Sequence, residues 1–234
     1  MHVGKEGMKK NTKQWRWWAF AIFAFLIFII LQIPATWLIA KFSKNNQILH
    51  NVSGNIWQGQ ADWQRGQLRG SVHWKTRPLD LLLFRLGANL DIHSGNTQLN
   101  GVLGYGVGQK ITVKNLQGEI SPETLKYFAN WQWPANAIQL NDVQFNYQKE
   151  KGFAAAEGQL HWGGGALAYT FGQRQDRMNM PSLMAEIKDE NGQLRIDVRD
   201  QRSQKMANLS LDANFMLDVQ LTQLETAAHL IAVE

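Results

Sequence analysis

The six histidines, at positions 2, 50, 73, 93, 161 and 229, are the residues best suited to ligate a metal or shuttle a proton. None of them stands in an HExxH pair or another ligand spacing. His73 and His161 each precede a tryptophan, Trp74 and Trp162. In a strand that places each imidazole on the polar side, opposite the indole. The chain contains no cysteine, which excludes disulfides, thiolate zinc sites, iron–sulfur clusters and thiol nucleophiles. Gly101, Gly104, Gly106 and Gly108 lead into Gln109-Lys110 and superficially suggest a phosphate loop. The Gly-Lys-Ser/Thr ending is missing and the following ITVKNL has strand character, so turns or bulges account for these glycines better. There is no Gly-x-Ser-x-Gly elbow, and carboxylates such as Asp62 and Asp91 have no feature that pairs them for acid–base work. These residues assemble no catalytic set, no metal site and no cofactor site, and the chain is read as non-enzymatic.

The more informative residues are the ten tryptophans. Trp57, Trp63, Trp74, Trp131, Trp133 and Trp162 fall among alternating segments, where they fill a core beneath a sheet; the alternative is that some line a groove for an apolar ligand or a partner strand. The elements that must hold them are strands. Apolar and polar residues alternate along Leu68–Trp74, Leu86–Ile92, Leu99–Tyr105, Val143–Tyr147, Leu183–Ile187, Leu194–Val198 and Leu209–Phe215. Ser94-Gly95-Asn96 and Asn191-Gly192 suit tight hairpin turns between such runs. The pattern predicts an antiparallel sheet with one apolar and one wet face. Ser121-Pro122-Glu123 supplies a cap, a first-turn proline and an early acid, predicting a short helix from Pro122 to about Asn130. Arg77-Pro78 before LDLLLF starts a second helical turn, and 221–234 mixes helical and strand spacing without deciding.

Gly70-Ser71-Val72-His73-Trp74 and Gly158-Gln159-Leu160-His161-Trp162 share a Gly-x-aliphatic-His-Trp pattern. Two similar halves, about 50–120 and 135–220, explain it; so does coincidence between two short matches.

The N-terminal segment differs from all of this. Trp17 to Ala40 holds no ionisable residue, which exceeds the roughly 20 residues needed to cross a bilayer. The run is also longer than the roughly 7–15 residues of a signal-peptide core, and no good cleavage site closes it. It is read as an uncleaved transmembrane helix over 17–40, between a basic cytoplasmic tail (1–16) and an extracytoplasmic domain (41–234). Five basic residues up to Arg16 set the orientation by the positive-inside rule, and Arg16, Trp17, Trp18, Trp37 and Lys41 mark the interfaces. The net charge of +5 divides accordingly. Five basic residues and one acid lie before residue 41, leaving nineteen basic and eighteen acidic residues beyond it. A nearly neutral domain gives no support to nucleic-acid binding.

The stretch Ser53-Gly54-Asn55-Ile56-Trp57-Gln58-Gly59-Gln60-Ala61, then Gly70, Val72 and Trp74, then Pro78-Leu79-Asp80-Leu81-Leu82, resembles the type II secretion system protein N family of Gram-negative bacteria. The resemblance covers nearly the whole chain and carries no catalytic residue. It implies a single-pass inner-membrane protein with a periplasmic domain, an accessory part of the secretion machine whose partners are other secretion subunits, the secretin or the inner-membrane platform. It also implies a curved antiparallel sheet, half-barrel or AsmA-like, with an apolar face that lipid could occupy. Glycine beside a large indole at Trp57-Gln58-Gly59 suits a bulge or close backbone approach.

Overall fold

The computed structural model describes residues 12–37, 48–81, 84–127, 131–171 and 174–221. Helix α1 spans Thr12–Leu31 and gives way before Pro34, which has no amide N–H to continue the helical ladder. A further helical turn covers 35–37. The unbroken helix expected over 17–40 is thus interrupted, and residues 38–47 lie outside the described ones. Among the described residues no helix is long and apolar enough to cross a membrane.

Among the described residues fourteen strands follow. β1 (Leu49–Gly54), β2 (Gln58–Arg65), β3 (Leu68–Thr76), β4 (Arg85–Ser94), β5 (Thr97–Gly106) and β6 (Lys110–Ile120) form the first six. β7 (Ile138–Gln148), β8 (Gly152–Trp162), β11 (Leu183–Glu190), β12 (Gln193–Asp200), β13 (Lys205–Leu211) and β14 (Leu217–Leu221) continue the same antiparallel sheet. β9 (Gly165–Phe171) and β10 (Arg174–Met180) pair only with each other. The twelve-stranded sheet runs in sequence order except for that hairpin, and it does not close, since β1 and β14 are its two edges. Two short helices interrupt the meander, α2 (Pro78–Leu81) and α3 (Pro122–Leu125). The Ser121 hydroxyl caps α3 by accepting from the Thr124 amide at 3.5 Å. The helix expected to reach Asn130 ends at Leu125, and 128–130 are outside the described residues.

Turn chemistry sets the register. Asn191 and Gly192, both at positive φ (52° and 78°), make the two-residue turn between β11 and β12 that the right-handed twist of paired strands favours. The core lies at the centre of the sheet's apolar face. Leu140 and Val143 of β7, Phe153 and Ala156 of β8, Ile187 of β11 and Leu194 of β12 are buried together, with Leu99, Leu116, Phe145 and Ile196 around them. Phe153 meets Phe145 edge-on at 5.7 Å. Each such side chain, once buried, contributes about 1.5–3 kcal/mol. Across β6, β7 and β8 the register shifts repeatedly, and Asn115, Asp142 and Ala155 take positive φ near 50° there. Bulges of this kind bend strands and increase twist.

The meander has two ends. At one lie the β1–β2, β3–β4, β5–β6, β7–β8, β11–β12 and β13–β14 connections; α1 arrives there, and it is called the α1 end below. The β2–β3, β4–β5, β6–β7, β8–β11 and β12–β13 connections lie at the far end.

Candidate functional site

Asn55 is the hub of the α1 end. Its side-chain oxygen accepts from the amides of Trp57 at 3.0 Å and Gln58 at 2.9 Å, while its own amide donates to the Gln58 carbonyl at 2.9 Å. This is the local turn that asparagine favours because its side chain can imitate backbone. The Asn55 carbonyl accepts the indole N–H of Trp74 at 3.1 Å. Thr76 closes the other side, its amide donating to Trp57 O and its hydroxyl to Ile56 O, both at 2.6 Å. Into this frame comes the chain following α1. Ile56 N donates to Ile33 O at 3.2 Å, Pro34 forms a bridge with Asn55, and Ala35 is buried. The segment after α1 is therefore bonded to the first turn of the sheet.

Gly59 sits opposite Trp74 on the neighbouring strand. A β-carbon there would overlap the indole and the Ser53 carbonyl, so only glycine lets the ring lie flat across the strand. Gly70 of β3 and Trp63 of β2 repeat the arrangement on the same strand pair with the roles exchanged, the indole occupying the space a Gly70 side chain would need. The close approach at Gly59 serves Trp74 on the neighbouring strand, and Trp57, two residues before Gly59, is itself half-buried. Ala61, 1% exposed, pairs with Val72. Pro78 opens α2 and Leu81 ends it. Ile56, Trp57, Gln58, Gly59 and Trp74 are thus brought into one joint; Ala61, Gly70 and Val72 extend it along β2 and β3. Arg16, Trp17 and Trp18 are exposed on α1, and Trp37 is exposed just beyond it. Leu82 and Lys41 lie outside the described residues. Sequence reading placed Asn55 in the family stretch without a role and missed the Ile33-Pro34 pair. The one available signal was an asparagine immediately before Ile56-Trp57-Gln58-Gly59.

The far end repeats the tryptophan bond. Trp162 Nε1 donates to the Asn136 carbonyl at 3.1 Å, and Asn136, like Asn55, stands just before the strand that pairs with the tryptophan's own. Here the cargo differs. Asn136 Nδ2 donates to Gly164 O at 2.8 Å, Gln132 bridges Ala168 of β9, and Trp133 meets Trp162 edge-on at 6.0 Å. The Gln132–Ala168 bridge holds the β9–β10 hairpin against residues 131–134.

On the polar face Asp197 accepts from Asn208 Nδ2 at 2.8 Å and pairs with Lys205 at 3.3 Å and Arg195 at 3.5 Å. Partial burial pushes its carboxyl up, but the hydrogen bond and charge of Lys205, then those of Arg195, outweigh this and hold it below the usual carboxylate range. His73 and His93 meet edge-on at 6.1 Å. Among the described residues no group of three His, Cys, Asp or Glu could hold a metal ion.

Among the described residues the fold is that of an open, twelve-stranded antiparallel sheet with a separate two-stranded hairpin, a mainly β class of protein. The sequence profile of the family described as type II secretion system (T2SS), protein N matches residues 46–230, and the chain belongs to that family. No curated protein and no solved structure matches it.

Proposed function

We infer that this chain is a non-catalytic, single-pass inner-membrane component of the type II secretion machine. Its N-terminus is cytoplasmic, its sheet periplasmic, and other secretion subunits, the secretin or the inner-membrane platform, dock on the sheet edge at β14. Family membership across residues 46–230 carries the reading. The anchor is supported by the uncharged run from Trp17 to Ala40 and by the exposed Phe20, Ile22, Phe23, Phe25, Phe28 and Ile29 on α1, a girdle suited to hydrocarbon. Docking is supported by β14. Its outer side pairs with no strand among the described residues, its register against β13 is regular, and Leu217 and Val219 are exposed. Such an edge is a template for an added strand. β1, the other edge, is broken by a bulge between His50 and Ser53, a feature that blunts pairing. Photocrosslinkers placed at Val219 and Gln220, with Asn51 on β1 as the comparison, are expected to trap a secretion subunit from β14 in secreting cells. Capture from neither edge would sink the docking reading.

A second reading is favoured by one observation. Among the described residues no large side chain is fully buried, so the apolar face is partly open and could hold acyl chains. Native mass spectrometry of residues 32–234, which retain the Ile33–Asn55 joint, separates the two. Co-purifying lipid supports the second reading, and a lipid-free chain removes it.

The matching Trp74–Asn55 and Trp162–Asn136 bonds support a duplication of two halves, 50–120 and 135–220. No nucleic-acid partner is proposed.

A further inference from the structure

At the α1 end the β3–β4, β5–β6 and β13–β14 connections carry apolar side chains in the open, while the β7–β8 and β11–β12 turns, Lys149-Glu150-Lys151 and Asn191-Gly192, are polar. Leu79 and Phe84, in the β3–β4 connection, are 75% and 82% exposed, and Val107, in the β5–β6 turn, is 81% exposed. At the far end the tight turns are polar: Gly66-Gln67, Gly95-Asn96 and Gln201-Arg202-Ser203-Gln204. Phe84 is held outward at a φ of 54°, a left-handed conformation that is costly for a bulky residue and persists where the surroundings impose it. The connection bearing Leu79 and Phe84 starts directly after Thr76, whose amide and hydroxyl bond the same turn that receives the chain from α1. The β3–β4 tip therefore lies beside the point where α1 joins the sheet, and the β5–β6 turn follows one hairpin further along the same end.

Behind them is a basic recess. Arg85 lies opposite Gly106 on β5, and Gly106 lies opposite Lys110 on β6, so two cations flank one glycine in a row. Arg85 also joins Arg77, Lys114, Thr112 and Asp80 around a pocket of about 110 Å³. Asp80 is the one acid of this lining and is paired with Arg77 at 3.5 Å. The recess keeps net positive charge and guanidinium donors of the geometry that phosphate accepts.

We propose that the α1 end of the sheet seats on the bilayer, with Leu79, Phe84 and Val107 entering the boundary between headgroups and acyl chains, and the Arg77–Arg85–Lys114 recess taking a phospholipid phosphate. An apolar rim backed by cations is the arrangement that interfacial anchors use. Isolated exposed apolar residues need no explanation, but a cluster at one end does. The inference rests on the anchor reading of α1, because it is α1 that brings this end to a membrane.

The absence of cysteine makes the test direct. Nitroxide labels are placed one at a time at Phe84→Cys, Val107→Cys, Gln67→Cys and Phe23→Cys of the full chain in nanodiscs of phosphatidylethanolamine and phosphatidylglycerol. Accessibility to oxygen and to a polar nickel chelate is then measured. The expected result is a several-fold higher oxygen-to-nickel ratio at 84 and 107 than at 67, and a fall of the ratio at 107 in an Arg85→Gln/Lys114→Gln background. Rim labels as wet as position 67, with position 23 still in hydrocarbon, overturn the seating and leave the anchor standing. A wet label at position 23 overturns the anchor and the seating with it. A ratio at 107 indifferent to the charge changes overturns the phosphate recess alone.

Discussion

The two ends of the sheet are built on the same bond and put to different uses. Trp74 donates to the Asn55 carbonyl and Trp162 to that of Asn136, both at 3.1 Å. At the far end that bond lies inside packing, since Trp162 is buried and Trp133 meets it. At the α1 end the partner segment is a short bridge from Ile33 and Pro34, and Trp74 stays half-buried. One device thus gives a closed end and a jointed end. The strands decide which face is apolar, but the connections decide what each end is for. Leu79, Phe84, Val107 and Met216 all project from α1-end connections, a distinction that strand periodicity does not contain.

The largest expected effect tests that contrast directly. Trp162→Ala should lower unfolding free energy by about 3–5 kcal/mol, the range for a truncated buried aromatic, whereas Trp74→Ala should cost roughly half as much because its ring is already partly wet. Denaturant titration of both variants measures the difference, and equal losses would erase the distinction between a closed end and a jointed one. Gly59→Ala should cost about 1–3 kcal/mol by forcing the Trp74 indole off the strand. It should also speed amide exchange at Ile56, Trp57 and Gln58 while leaving the amides around Asn136 protected. Exchange rising equally at both ends would mean that the joint is not an independent unit.

The smallest effect concerns neither end and sharpens the comparison by serving as its reference. Asp197 is held below the ordinary carboxylate pKa by Lys205 and Arg195. A depressed folded-state pKa gives stability that is present above the unfolded value and is lost as pH falls through the folded one. Acid unfolding of the native chain should therefore show a loss of about 1 kcal/mol below the usual carboxylate range that Asp197→Asn lacks, and an unchanged acid profile in the variant would remove Asp197 as its cause.

The sheet was legible in the sequence because its strands alternate cleanly and because turns such as Asn191-Gly192 declare themselves. The pattern misled where a side chain stopped a strand that periodicity would have continued. Leu209, Leu211, Ala213 and Phe215 read as one run, yet β13 ends at Leu211. There the Asp212 carboxylate accepts from the Asn214 and Met216 amides, both at 2.8 Å, and turns the chain. Phe215 then stacks on Tyr147 at 4.9 Å instead of extending a strand. The β9–β10 hairpin was not foreseen, since RQDRMNM of β10 has too few apolar residues to declare a face. The joint was beyond periodicity altogether. Its contacts run between Ile33-Pro34 and Asn55-Ile56, between Asn55 and Trp74, and between Ile56 and Thr76, distances along the chain that no local pattern encodes. The stretch around Trp57 was recognisable as a motif, while its bonds to Ile33, Trp74 and Thr76 were not.

The order of the strands has a bearing on how the molecule is made. Because every strand of the large sheet pairs with the next one in the chain, apart from the step over β9 and β10, the sheet needs few distant segments to find each other, and local pairings are the kinetically accessible ones. Each hairpin can add to the one before it as the chain emerges, starting from the turn fastened to Ile33 and Pro34. On the anchor reading of α1, the growing sheet would be tethered at its first strand throughout, and β14 would be the last of the described strands to form.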